Sequence, residues 1–164
     1  MARFKTDGFA GVIDDEAKQL SKKTHSALSQ GLYEGAGVFA DEIRREVQSL
    51  NTDLGYVNTD KGHKPLSGIL PRQKEGLLDG LGIADFKTEK GAIVTEVGFT
   101  GYNKHHTKQY PDGQPNALVA RSLVKGTSYV APNKFVNRAY NRAKGKAESK
   151  IVETITRILH PDHK

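Results

Sequence analysis

The sequence predicts an α+β fold: a long N-terminal helix and a long C-terminal helix packed on a small antiparallel sheet, with long exposed loops. Three observations predict it. Apolar residues from Ile13 to Leu50 recur at steps of three and four, the period of one helix face. Residues 92–99 are β-branched and partly alternating, the pattern of a half-buried strand. Phe135, Ala139, Ala143, Ala147, Ile151 and Ile155 repeat every fourth position, and His160-Pro161 follows, where proline stops a helix. At 164 residues the whole chain, 1–164, is expected to form a single domain.

Residues 1–11 read as an extended arm that Phe4 and Phe9 could anchor. The first helix starts at Val12. Asp14, Asp15 and Glu16 lie in its first turn, where negative charge favours the helix dipole. Its stripe runs through Leu20, Ala27, Leu28, Val38 and Phe39 and continues to Val47, and Asn51 and Gly55 end it. Gly31 and Gly35 sit on that stripe, although each costs about 1 kcal/mol relative to Ala inside a helix. Either another helix or subunit approaches closely there, or the helix bends or splits; the sequence leaves both open. Residues 51–67 lack any period and read as a long loop, either an interaction loop or a poorly ordered one.

Pro71 opens a short helix over 72–81, with Leu77, Leu78 and Leu81 on one face. Residues 85–91 and 92–99 form an antiparallel hairpin about a Lys90-Gly91 turn. Residues 100–116 are polar and turn-rich, the composition of a second long exposed loop. A short helix over 117–124 and a third short strand over 128–131 follow. Asn133 suits an N-cap position, and the last helix runs about seven turns. A strict four-residue repeat drifts by about 40° per step on an α-helix. The face near Phe135 and the face near Ile155 therefore differ, with Gly145 between them. One expectation is that the first half packs on its own sheet while Ile151, Val152, Ile155 and Leu159 meet a neighbouring subunit. The other is a kink at Gly145 that brings both halves onto one core.

The net charge is +6, and residues 134–164 carry +5 of it. The candidate basic face is Lys134, Arg138, Arg142, Lys146 and Lys150. Such a patch suits nucleic acid or an acidic protein surface, and it also fits a solvated helix face. Mean hydropathy is −0.59, and no apolar run approaches the roughly 18–20 residues of a membrane span, so no membrane partner is expected. The N-terminus lacks the apolar stretch of a signal peptide. There is no cysteine, hence no disulfide, thiol nucleophile or Cys zinc site.

Candidate chemistry is sparse. His105-His106 lies in a polar loop and His160 pairs with His163, but neither pair has a third ligand nearby in sequence. Phosphate-binding, dinucleotide, nucleophile-elbow and zinc-protease patterns are all missing. The expectation is a non-enzyme with no catalytic residue, no cofactor and no metal.

Residues 117–140 combine an apolar segment, the Gly126-Thr127 turn, a short extended piece and a helix entry at Pro132 with Phe135. A basic, Ala-rich helix from Arg138 to Lys150 comes next. With Gly76-Leu-Leu-Asp-Gly-Leu-Gly-Ile83 and the strand end Val94-Thr-Glu-Val-Gly-Phe99 ahead of it, this order resembles a tail-component family of long-tailed double-stranded DNA bacteriophages. That family works at the head–tail junction. The chain departs from the pattern in having Val124-Lys125 where members often carry an acid before Gly-Thr, and a longer loop over 101–116.

The resemblance implies a structural virion protein made in the host cytoplasm. It implies a homo-oligomeric ring of about six copies with a heterologous interface, set between the head-closure or connector protein and the tail terminator or tail-tube protein. Loops 51–67 and 100–116 would be contact arms that order on assembly, and Lys/Arg could touch packaged DNA nonspecifically. The competing reading is a small basic DNA-binding protein using the C-terminal helix. A third is a hydrolase built on the His105-His106 loop.

Overall fold

The computed structural model describes residues 12–55, 62, 65–89 and 92–161. The expected arm over 1–11, residues 56–61 and 63–64 of the 51–67 loop, the Lys90-Gly91 turn and His163 lie outside the described residues. The fold is α+β. A helix α1 (Val12–Gln48) is followed by α2 (Pro71–Gly80), strands β1 (Leu81–Ile83), β2 (Lys87–Glu89), β3 (Ala92–Val94) and β4 (Val97–Phe99), then α3 (Asn116–Lys125) and α4 (Phe135–Leu159).

The two long helices pack antiparallel. At one end Ile155 lies against Gly31, and at the other Arg138 reaches Glu46. The glycines explain the closeness. A Cβ on Gly35 would stand 2.5 Å from Ile151 Cγ1, and one on Gly31 would stand 3.0 Å from Ile155 Cγ1. The open choice at these glycines thus resolves to close approach, between helices of one chain, and α1 is unbroken through them. Ala36 and Ala40 on α1 face the same seam chemistry as Ala139, Ala143 and Ala147 on α4, all buried. Small residues on both sides let the backbones come together.

This corrects the expected division of α4. Ile151 and Ile155 pack on α1 of the same chain, while Val152 remains 63% exposed and Leu159 half-buried. Both halves of α4 therefore pack within the one chain, and α4 runs through Gly145 as a single uninterrupted helix. The four-residue drift is corrected locally by a step of three: after Ile151 the buried position is Thr154, fully enclosed, whose hydroxyl donates to Glu34 at 2.7 Å. At about 1.5 Å per residue, α1 with 37 residues outruns α4 with 25 by roughly 18 Å. Leu20, in that overhang, is 64% exposed.

The strands form one long hairpin in two parts. Leu81, Gly82 and Ile83 pair with Phe99, Gly98 and Val97, and Lys87, Thr88 and Glu89 pair with Val94, Ile93 and Ala92. Between these parts, residues 84–86 oppose residues 95–96, so the first strand carries one extra residue. That is a β-bulge, which bends and twists a ribbon. Ala84 N–H donates to Glu96 O at 2.8 Å and Thr95 Oγ1 donates to Ala84 O at 2.7 Å across it. The hairpin expected over 85–99 is present and starts earlier, at Leu81. The expected third strand over 128–131 is reduced to a single parallel bridge between Val130 and Leu66.

The α2 helix is present as expected but spans Pro71–Gly80, and Leu81, expected on its apolar face, opens β1 instead. Pro71 opens the helix, Leu70 stays extended before the proline, and Gln73 Oε1 accepts from the Leu70 N–H at 3.1 Å. The core gathers Ile43, Val47 and Leu50 of α1, Leu77 of α2, Leu81 of β1, Val119 and Leu123 of α3, and Phe135 of α4. Phe99 and Phe135 meet with ring centroids 6.4 Å apart.

Candidate interaction surface

The α3–α4 connection is a locked turn. Gly126 closes α3 with φ 72° and ψ 163°, a region open essentially to glycine alone. Its N–H donates to Ser122 O at 2.9 Å. A Cβ there would lie 2.9 Å from Pro132 Cδ, so Gly126 and Pro132 fit together as a pair. Thr127 holds the tip: its N–H donates to Val130 O at 2.8 Å, and its hydroxyl accepts from Tyr129 N–H at 3.1 Å and Val130 N–H at 3.0 Å. Leu66 clamps the far side, accepting from Ala131 N–H at 2.9 Å and donating to Tyr129 O at 2.7 Å. The result is a rigid support that presents Tyr129 with its residue 77% exposed.

Asn133 does not cap α4. The cap residue is Lys134, without a side-chain cap bond. Asn133 instead donates its N–H to Leu123 O at 2.7 Å and accepts from Arg138 Nη2 at 3.1 Å, which ties the helix entry back to α3. Phe135 follows at once, fully buried.

The proposed basic face divides in two. Arg138 Nε and Arg142 Nη1 donate to the buried Glu46 carboxylate at 2.7 and 2.6 Å. Lys146 donates to buried Glu42 at 3.1 Å, and Lys150 and Arg157 approach Glu34 at 3.6 and 3.1 Å. These cations neutralise the buried carboxylates of Glu46 and Glu42, the latter shared with Arg45, and the half-buried one of Glu34. The Lys146 hydrogen bond, opposed by desolvation and helped by Arg45, holds the Glu42 carboxyl below the ordinary range. The Thr154 hydroxyl, against desolvation, does the same for Glu34, aided by Gln30 and by the charges of Arg157 and Lys150. Lys134, by contrast, is exposed and meets no carboxylate among the described residues, and Arg121 and Lys125 on α3 share that condition.

The 100–116 segment is not the loose contact arm its composition suggests. Asn103 N–H donates to Gln114 O, Gln114 N–H to His105 O, and Asn116 N–H to Gly101 O, at 2.9, 3.2 and 3.0 Å. Asn103 and Asn116 are buried, with His105 N–H donating to Asn103 Oδ1 at 2.9 Å and Asn116 Nδ2 donating to Thr100 O at 2.8 Å. Gly113, at φ 108°, makes room for the Asn103 carbonyl. Helix α3 accordingly begins at Asn116. Within this loop His106 Nδ1 lies 2.6 Å from Pro111 O, so its ring is engaged by backbone. Lys104 donates to Glu75 at 3.0 Å, which raises the lysine above its ordinary value. Among the described residues no group of three or more His, Asp or Glu could hold a metal ion.

An apolar groove of about 330 Å³ lies between α1, α4 and the ribbon, lined by residues that include Leu32, Phe39, Thr95, Val97, Tyr140 and Ile151. The Phe39 and Tyr140 rings stack there at 5.7 Å. The structure brings Gly31, Gly35, Ile151 and Ile155 together, and separately sets Gly126 against Pro132 in the turn that Thr127 holds, with Phe135 buried in the core beyond it. Sequence reasoning missed Tyr129, Arg121 and Lys125. A signal for them existed: no acidic residue stands between Asp112 and Glu148. No helix among the described residues is long and apolar enough to cross a membrane. Comparison with protein-family models, with curated proteins and with solved structures finds no match to this chain.

Proposed function

We propose that this chain is a structural virion protein at the head–tail junction of a long-tailed phage, joining or completing the tail as a ring. One observation carries the reading. Of the residues that carry the family resemblance, Gly126, Thr127 and Pro132 hold one turn whose apex, Tyr129, faces solvent, and Phe135 follows it, buried in the core. A preorganised exposed aromatic is a feature of binding surfaces, because little conformational freedom is lost on docking. A ring also needs two unlike surfaces on each copy. The exposed residues 19–23 of α1 and the apolar groove provide surfaces unlike the turn. The partners in this reading are other copies of the chain, the head-closure or connector protein, and the terminator or tube protein.

The alternative, a DNA-binding protein that uses α4, is disfavoured by the pairing of Arg138, Arg142 and Lys146 with Glu46 and Glu42. A phosphate backbone would have to compete with those carboxylates. Quantitative mass spectrometry of purified particles from the phage that encodes the chain tests the proposal. The expected result is a fixed number of copies per virion, near six or a small multiple of it. Absence from particles, with tight and steeply salt-dependent DNA binding by the free chain, would favour the alternative.

A further inference from the structure

The free cations and the exposed aromatic of the turn have a counterpart elsewhere on the molecule. Within the acid-free stretch from Gly113 to Ala147, α1 carboxylates engage Arg138, Arg142 and Lys146. Arg121, Lys125 and Lys134 stay exposed and unpaired among the described residues. They border the turn. Arg121 and Lys125 are one helical turn apart on α3, and Asn133, next to Lys134, is bonded to Leu123 at 2.7 Å. The ribbon bulge carries the opposite charge. Asp85 and Glu96 are both exposed at the bulge, Glu96 standing opposite Ala84, whose N–H binds Glu96 O at 2.8 Å. Neither carboxylate pairs with a cation of its own chain among the described residues. Phe86, next to Asp85, is 38% exposed.

We infer that the turn of one copy docks on the ribbon bulge of a second copy, with Tyr129 against Phe86 and Lys125 and Lys134 against Asp85 and Glu96. This rests on the ring proposed above and names its copy-to-copy contact. Charge complementarity and the aromatic pair support it together: an aromatic centre supplies affinity, and a charged rim supplies orientation and rejects wrong registers. The two patches differ, so the contact is head-to-tail. It can be repeated from copy to copy, as ring closure requires. The bulge also has a reason to exist, since bulges at sheet edges re-aim side chains.

Because the chain contains no cysteine, the contact can be trapped with introduced ones. Ser128→Cys, beside Tyr129, and Ala84→Cys, beside Asp85, both exposed positions that leave the aromatic pair and the charges intact, are made separately and together, then oxidised mildly, both at concentrations where sedimentation shows wild-type association and in assembled particles. The inference expects a covalent dimer when the two single variants are mixed. It expects neither single variant alone to cross-link, and the double variant to give a ladder ending at the ring. Lys125→Glu with Lys134→Glu should weaken association about tenfold or more, and Asp85→Lys with Glu96→Lys should restore it. Copies that associate without this cross-link, and ignore the charge reversal, overturn the inference and leave the ring standing. A chain that is monomeric at every concentration and absent from particles overturns both. If the charge reversal abolishes retention on DNA and leaves association intact, the patch serves nucleic acid and the inference fails.

Discussion

The seam between α1 and α4 and the turn that feeds α4 draw on the same basic stretch of sequence and use it in opposite ways. In the seam, Arg138, Arg142 and Lys146 sit over buried glutamates, and alanines and glycines bring the backbones together. Cations there are part of how the chain folds. At the turn, the backbone is fixed by Thr127, Gly126 and Pro132, and the side chains of Lys125, Tyr129 and Lys134 are exposed with no partner among the described residues. Identical side-chain types therefore carry different information. Where a charge is answered within the chain it speaks for stability, and where it is unanswered on a rigid support it is available to another molecule.

The sharpest way to break this comparison is to attack the seam. Ile151→Ser combined with Ile155→Ser removes the two side chains that fill the space over Gly35 and Gly31. Each is half-buried, so the pair should cost about 4 kcal/mol, on the low side of the range for two truncated aliphatics. Against a typical total of about 5–15 kcal/mol, the loss leaves a marginal or unfolded chain. Circular dichroism during thermal melting would show a large drop in Tm with loss of helical signal. A variant that melted like wild type yet failed to assemble would show that these residues serve a neighbouring subunit, contrary to the packing described.

How much of this was legible beforehand follows from what each feature depends on. The long helices, α2 and the hairpin rest on local periodicity and on Pro71 and Pro161, all visible along the chain. The partner of α4 was not visible. The spacing of Glu42 and Glu46 matches that of Arg142 and Lys146, but only the antiparallel register places them opposite one another. Asn133 looked like a cap because its type suits that position, and tertiary contacts with Leu123 and Arg138 claimed it instead. Loop 100–116 looked loose because its residues are polar, while Asn103 and Asn116 spend that polarity inside the protein, satisfying backbone groups. The Gly126-Thr127 motif was legible as a motif. Its consequence, the presentation of Tyr129, needed the left-handed φ of Gly126 and the contact with Pro132.

A gentler test of the seam uses pH. Glu42 and Glu34 titrate below the ordinary value of 4.5, through hydrogen bonds from Lys146 and Thr154 respectively. A carboxyl whose folded pKa is depressed contributes stability that is fully present above its unfolded value. That stability is lost as pH falls through the folded value. Tm should hold steady from neutral pH down to about 5 and then fall on further acidification. Glu42→Gln should lower Tm at neutral pH by less than the double isoleucine change and flatten part of the acid limb. An acid limb identical in Glu42→Gln and wild type would remove Glu42 from the account.

The smallest expected effect lies at the turn, and its smallness is the point. Tyr129 makes its recorded hydrogen bonds through backbone N–H and C=O, and its residue is 77% exposed. Tyr129→Ala should therefore change stability by no more than about 0.5 kcal/mol, the usual range for surface positions. Thr127 and Leu66 would keep the backbone in place. If the turn is a docking support, the same substitution should nevertheless impair assembly, because a rigid aromatic is what an interface loses most by truncation. Thermal melting and particle assembly measured on one preparation separate the two readouts. A clear fall in Tm would mean that Tyr129 belongs to the fold, and the contrast between seam and turn would collapse. An unchanged Tm with full assembly would leave the turn as an exposed structural link and move the search for the contact surface to the α1 overhang.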